Sequence, residues 1–446
     1  MQSKPPRISS NLELTKDEDN HLLIMHLLCL SNGHGEDVIA VRILQELQQH
    51  PDAPEIAALP IVGEGHAYAQ LGIPIIGPVQ TMPSGGFIYM EKRQLLRDMR
   101  GGLLQLSWAQ LKAVRRWHKK GGAILAVGDI VPLLFAWLSG APYAFVGTAK
   151  SEYYVRDEGG WLPNRPRSER WSGSVYHPVD RWLMSRRRCK AVFPRDTLTT
   201  ETLQKWSIPA LDLGNPMMDG IYPEHPESVW YDPNAEQKEM QRSLMITLLP
   251  GSRVPEAYEN WQLILRAASE FLHTFKERSI VFLGAIAPAL SLNSLQELAE
   301  GFSWRLQASD ATETNLQLTD ENALKFTQKN ATLILTQTDY NLCLLKSDCC
   351  IAMAGTATEQ FVGLGKPAIA IPGKGPQYNP AFAEAQTRLL GPSLILVEQP
   401  EKVADVVQKL LRDPDWLQLI SENGRHRMGQ PGAAKRIANC LIERLP

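Results

Sequence analysis

A glycine turn opening onto two hydroxyls and a carboxylate, Gly355-Thr356-Ala357-Thr358-Glu359-Gln360, is the chemically densest stretch of this chain. The apolar run Cys349 to Ala354 before it reads as a buried strand, Thr356 to Gly365 as a helix, and Pro367 to Ile371 as a second strand. A helix start presents backbone N–H groups that have no partner within the helix, and these suit an anion such as a phosphate. Thr356 and Thr358 add hydroxyls, while Glu359 and Gln360 add acceptors of the kind a ribose requires. The alternative is an ordinary strand-turn-helix unit whose glycine serves close packing.

A second segment offers the same chemistry. Leu244 to Leu249 reads as a strand, and Pro250-Gly251-Ser252-Arg253 follows it. Small residues let a backbone approach a diphosphate, and Arg253 can donate a charge-assisted hydrogen bond to it; a solvated surface arginine is the other reading. Near the start, Ser31-Asn32-Gly33-His34-Gly35-Glu36-Asp37 joins a strand, His21 to Leu30, to an amphipathic helix, Val38 to Gln48. Gly33 and Gly35 free the backbone around His34, whose imidazole suits proton transfer near neutrality; a turn histidine that helps to start the helix is the alternative. Glu36 and Asp37 read as charges that favour the first helical turn rather than as catalytic groups. Asp129 ends the strand Ala123 to Val127, where it serves either as a base or as the cap of the next helix. Lys150 follows the strand Pro142 to Val146 at the same edge.

These groups need a scaffold that places strand ends together. Further strands are expected at 55–60, 74–77, 191–194, 279–284, 331–336 and 393–397, with a helix at 382–389 and a long loop over 157–175. The alternation of buried strand and helix predicts parallel α/β architecture with ligand loops at the carboxyl edges. The expected organisation is a leader over 1–20, an N-terminal domain over 21–220 and a Pro-containing linker over 221–241. A C-terminal domain over 242–425 and a C-terminal helix over 426–446 complete it.

The totals bound the function. With 446 residues, 44% hydrophobic and 21% charged, the chain has the balance of a globular protein with two cores. A net charge of −2 implies no bulk attraction to nucleic acid. The six cysteines form no CxxC pair and several lie in apolar runs, which points to buried thiols in a reducing compartment and to no zinc site. The polar start is unlike a signal peptide, and no apolar run approaches a membrane span of ~20 residues. The expected location is therefore the cytoplasm. Between Tyr89 and Lys120, Lys92, Arg93, Arg97, Arg100, Lys112, Arg115 and Arg116 alternate with Leu95, Leu104, Trp108, Leu111 and Trp117. Such a stretch suits peripheral contact with the inner face of an anionic membrane, or an ordinary packed helix with a basic outer face.

The segments Leu248 to Glu256 (LLPGSRVPE), Gly214 to Asp219 (GNPMMD) and Ala354 to Gln360 (AGTATEQ) resemble lipid A disaccharide synthase and, more distantly, the glycosyltransferase that completes lipid II. The resemblance spans most of residues 21–440. It implies the GT-B class: two Rossmann-like domains with a cleft between them, a nucleotide-sugar held mainly by the second, and an acceptor held mainly by the first. No metal or cofactor is implied beyond the donor substrate. It places Gly251, Ser252, Arg253, Gly355, Thr356 and Thr358 near the donor diphosphate and makes Asp129 the acid that activates the acceptor. His34 stands where the lipid II enzyme has a histidine, with Gly33, Gly35 and Lys150 on the acceptor side. The family's ribose glutamate falls on Gln360, with Glu359 one residue earlier, and the first turn differs from the synthase's Gly-Glu-Xaa-Ser-Gly-Asp. The expected function is an inverting glycosyltransferase moving a sugar from a nucleotide diphosphate, UDP in the first instance, to a lipid-linked or amphipathic acceptor. A nucleotide-sugar epimerase and a non-catalytic GT-B scaffold are the alternatives.

Overall fold

The computed structural model describes residues 25–79, 103–163, 167–221, 242–307 and 316–446. The 1–20 leader, the 81–86 loop and residues 222–241 of the expected linker lie outside them, as do Lys92, Arg93, Arg97 and Arg100. Among the described residues the chain builds two main sheets.

The first contains β1 (His26–Ser31), β2 (Glu55–Pro60), β3 (Ala123–Gly128) and β4 (Tyr143–Gly147). A two-residue hairpin follows, β5 (Arg156–Asp157) with β6 (Gly160–Trp161), and then β7 (Cys189–Phe193). Strands run parallel in the order β2-β1-β3-β4-β7. Their near-continuous apolar sequences follow from this: a parallel sheet is covered on both faces, so both sets of alternating side chains are buried. Leu27 and Cys29 pack with Ile43, Leu44 and Leu47 of the His34–Gln48 helix, whereas Leu28 and Leu30 pack on the opposite face with Leu106, Val114 and Leu133. Each such side chain contributes roughly 1.5–3 kcal/mol by leaving water.

The second sheet contains β8 (Leu244–Leu249), β9 (Ile280–Ala285), β10 (Arg305–Leu306) and β11 (Leu324–Gln328). It continues with β12 (Ala331–Thr336), β13 (Cys349–Ala352), β14 (Ala368–Ala370) and β15 (Leu394–Leu396). The order is β10-β11-β12-β9-β8-β13-β14-β15, with β10 and β11 antiparallel and the rest parallel. In each sheet the strand order reverses at one place, between β1 and β3 in the first and between β8 and β13 in the second. Crevices for ligands open outside the carboxyl ends of the strands at such switch points.

The seam between the two halves is stitched by the GNPMMD segment. Asn215 caps the short 3-10 helix Pro216–Met218 by accepting from Met217 N, while Arg42 donates to the carbonyls of Pro216 and Met217 at 2.7 and 2.8 Å. Asp219 accepts from Gly432, Ala433 and Ala434 N, so its carboxylate sits on the positive start of the Ala433–Arg444 helix. That last helix lies against the His34–Gln48 helix, returning the chain to the first sheet.

Three expectations change. The 74–77 strand is a single bridge, Ala58 to Ile75. The 157–175 loop holds the β5–β6 hairpin and a helix, Arg167–Ser172. Glu152 pins this stretch from within the core, accepting from Val175 N at 2.9 Å and pairing with Arg156 Nε at 2.7 Å. β10 and β11 extend the second sheet where no strand was foreseen.

Candidate functional site

The crevice of the second sheet is formed by the exits of β8 and β13. Gly251 stands at φ +92°, and a Cβ there would come within 3.1 Å of the Met353 carbonyl, so a bare backbone lets the two exits touch. Side chains from behind hold both loops: Asn260 donates to the Pro250 carbonyl at 3.0 Å, and Gln386 donates to the carbonyls of Ala354 and Gly355 at 3.1 and 3.2 Å. Gly355 precedes the Thr356–Gly363 helix, whose start receives no side-chain cap among the described residues. Ser252 and Thr356 are exposed beside it and Arg253 is half-buried. Burial draws the Arg253 guanidinium below its ordinary pKa, and Glu256 opposes this. Glu256 also accepts from Tyr378 N, which folds the 373–378 loop, with the exposed Lys374, alongside. Lys374 carries a charge that the sequence reading passed over; the Gly373-Lys374-Gly375 spacing after a strand was its signal.

The structure thus brings Gly251, Ser252, Arg253, Gly355 and Thr356 together. The other three candidates on the helix have partners elsewhere. The Thr358 hydroxyl donates to the Ala354 carbonyl at 2.5 Å. Glu359 forms an ion pair with Arg195, at 2.7 Å, from the segment after β7. Gln360 accepts from the Tyr340 hydroxyl at 2.6 Å and donates to the Met217 carbonyl at 2.8 Å. In this structure, therefore, Glu359 and Gln360 spend their polar groups on the seam.

The crevice of the first sheet lies at the exits of β1, β3 and β4. Gly33 (φ +143°) ends the first turn and His34 is the first residue of the helix; the His34 imidazole lies outside the described part of the structure. A buried chain of hydroxyls fixes this turn from below: Tyr68 donates to Ser31 at 2.6 Å and Ser31 donates to Asp37 at 2.5 Å. Gly35 is exposed at the crevice rim. Asp129 caps the Ile130–Ser139 helix, its Oδ1 accepting from Val131 N at 2.8 Å and from Asn32 Nδ2 at 3.1 Å. Burial raises the Asp129 pKa, while those two bonds and Lys150 lower it and Asp180 raises it further. Lys150 is itself paired with Asp180 at 2.6 Å and lies over the Tyr176 ring.

Glu36 is the group that sequence reasoning missed. Its carboxyl is pushed up to about 7, chiefly by burial and further by Asp129 and Asp37, against its own backbone N–H and the Thr148 hydroxyl. A carboxyl that changes charge near neutrality beside a switch point can exchange a proton with a bound hydroxyl. Among the described residues no group of three or more His, Cys, Asp or Glu is placed to hold a metal ion.

No protein-family model matches the chain, and no curated protein matches it. Solved structures do. A UDP-GlcNAc 2-epimerase from Methanocaldococcus jannaschii matches with a TM-score of 0.51 and 14% identity, over 94% of this chain and all (100%) of that one. The MurG protein of Acinetobacter baumannii matches at 0.51 and 14%, over 94% and 99%. The glycotransferase of kitacinnamycin matches at 0.52 and 13%, over 95% and 100%. At such identities the likeness concerns the fold: the chain has the GT-B architecture, two Rossmann-like domains with a cleft between them.

Proposed function

We propose that this protein is an inverting glycosyltransferase of the lipid A disaccharide synthase kind, which takes a sugar from a UDP-sugar and gives it to a lipid-linked or amphipathic acceptor. The observation that carries the reading is the second-sheet crevice. There an uncapped helix start, the Gly251–Met353 approach and Arg253 meet at a switch point, where a diphosphate leaving group gains backbone N–H donors and a cation as its charge develops. The first-sheet crevice supplies the acceptor side with carboxyl groups. The test is calorimetry with UDP, UDP-glucose and UDP-N-acetylglucosamine on the wild type and on Arg253→Ala. Binding weakened at least tenfold by the substitution supports the reading, and no binding of any of the three overturns it.

The lipid part rests on a separate face. The Leu103–His118, Ile130–Ser139 and Pro178–Met184 helices pack side by side. Trp108 (68% exposed), Val179 (59%), Trp182 (44%) and Leu134 (37%) stand out from the described residues of that face. Lys112 lies over Trp108, and Arg186 lies over Trp182. Exposed indoles rimmed by cations suit the headgroup layer of an anionic bilayer, and the Ile130–Ser139 helix leads from that face to Asp129 at the crevice. Leu106, Gln110, Val114 and Trp117 meanwhile bury the inner side of the first helix, so the packed-helix reading holds for that side. No described helix is long and apolar enough to cross a membrane. Flotation with phosphatidylglycerol vesicles, lost in Trp108→Ser/Trp182→Ser, checks the contact.

A nucleotide-sugar epimerase is the second reading, favoured by the match to an epimerase over nearly the whole chain. It predicts epimerised UDP-sugar in the absence of any acceptor, which proton NMR of the nucleotide pool distinguishes from transfer.

A further inference from the structure

The sequence nominated His34 and Asp129 as the proton acceptor. Asp129 is committed to structure, since its Oδ1 holds both the start of the Ile130–Ser139 helix and the Asn32 side chain. Glu36 occupies a different position, on the first turn of the His34–Gln48 helix and directly over the exit of β3. Gly128 ends that strand at φ +130°. A Cβ on it would stand 3.2 Å from the Glu36 Cγ and 3.7 Å from the Asn32 Cβ, so an uncovered backbone leaves room where these two side chains meet. Asn32 is 4% exposed, and its Oδ1 accepts no hydrogen bond among the described residues. A buried amide oxygen without a donor is expensive, and a bound hydroxyl or amide would satisfy it. The groups facing Glu36 are Asp37 on its own helix, Asp129 after β3 and the Thr148 hydroxyl after β4, with Lys150 and Asp180 beyond Asp129.

We propose that Glu36 is the general base of the transfer and that Asn32 Oδ1 receives a second hydroxyl or amide hydrogen of the same acceptor. This rests on the glycosyltransferase reading and narrows it to an acceptor with a polar hydrogen beside the reacting hydroxyl. As the acceptor oxygen forms its bond to the anomeric carbon, its proton passes to the Glu36 carboxylate. The bond from that carbon to the diphosphate breaks and its electron pair leaves with the diphosphate oxygen. The Glu36 carboxylic acid then releases its proton to water, and the net products are the glycoside, the nucleoside diphosphate and one proton. A carboxyl poised near the working pH suits this exchange.

The experiment has three arms. Carbon-13 NMR of protein labelled at glutamate carboxyls, wild type against Glu36→Gln, reads the titration of this one group without substrate; a lost resonance titrating near 7 is expected, and one titrating at the ordinary glutamate value overturns the proposal. Calorimetry with UDP, together with thermal unfolding, is expected to show Glu36→Gln folded and binding within twofold of the wild type. UDP release from UDP-N-acetylglucosamine, or from whichever of the tested UDP-sugars binds, is expected to fall roughly 100- to 10,000-fold in kcat. The acidic limb of the wild-type pH profile should disappear with it, whereas Asp129→Asn should retain that limb. A variant within fivefold of the wild type, or one that keeps the limb, overturns Glu36 as base while leaving the transferase reading standing. A wild type that neither binds UDP nor releases it overturns both.

Discussion

Glu36→Gln also has a consequence for stability that needs no substrate. The Glu36 carboxyl stands at about 7 in the folded chain against an ordinary 4.5, with burial as the first cause. Below pH 4.5 the group is protonated in both folded and unfolded chains and favours neither. Between 4.5 and 7 the folded chain keeps a proton that the unfolded chain has released, so this group's contribution to stability declines as pH rises through that window. At 1.36 kcal/mol per pH unit the decline amounts to about 3 kcal/mol and is complete above pH 7. Glutamine has nearly the same shape and no charge to desolvate, so the variant is expected to gain on the wild type by about 3 kcal/mol between pH 4.5 and pH 8. For a domain of this size that is roughly a 6–12 °C change in the difference between the two unfolding temperatures. Parallel thermal scans of both proteins at pH 4.5, 6 and 8 measure it, since the titrating groups remote from Glu36 cancel in the comparison. A difference that does not change with pH would refute the placement of Glu36 as a desolvated carboxyl, and with it the physical basis for its role as base.

Two further outcomes follow from the seam and the core. The Arg195–Glu359 pair is nearly dry, with side chains 4% and 10% exposed. Burial alone would lower the Arg195 pKa, yet Glu359, Tyr154 and Asp196 hold it above its ordinary value. Removing one partner strands the other, so Arg195→Met and Glu359→Gln should each cost about 3–5 kcal/mol, with the double variant recovering part of the loss; additive losses in urea titrations would sink the assignment. The six cysteines are free and buried, and burial raises the thiol of each, Cys29, Cys189, Cys343, Cys349, Cys350 and Cys440. Ellman's reagent should therefore label none of them within minutes at pH 7.5 and all of them in guanidinium; prompt labelling of the native protein would contradict the burial.

Much of this fold is written in runs of apolar residues. β2 and β8 coincide with the expected strands because both faces of a parallel strand are buried, leaving no polar interruption to blur their ends. β10 and β11 escaped for the opposite reason: Arg305 and Leu306 are exposed, and β11 buries only Phe326 deeply, so their sequences carry little periodic signal. At the site, Gly33 and Gly251 were legible because a strand exit at positive φ leaves few choices of residue. Glu36 was not, because an acid in a first helical turn has a sufficient local explanation in the helix dipole. Its distinguishing feature is its position against Gly128, Asp129 and Thr148 at the exits of β3 and β4, about a hundred positions away in sequence. The Arg195–Glu359 pair spans 164 positions and two domains, a contact that no local pattern announces.

The Thr356–Gly363 helix has two faces with different commitments. Its first residue faces outward to the crevice, whereas Thr358, Glu359 and Gln360 are buried and reach Ala354, Arg195, Tyr340 and Met217. Because Gln360 and Arg42 grip the same Met217 carbonyl, and Asp219 two residues later caps the last helix, the segment from 214 to 219 is the common anchor of both sheets and of the chain's end. A rotation of one domain against the other must break or slide the Glu359–Arg195 and Gln360–Met217 contacts. The start of the helix, held by backbone, by the Thr358 hydroxyl and by Gln386 behind it, stays with the second sheet. Glu359 and Gln360 thus tie the start of this helix to the first domain through one rigid turn, and the same residues that the sequence reading assigned to the ribose are those whose present partners such a rotation would release.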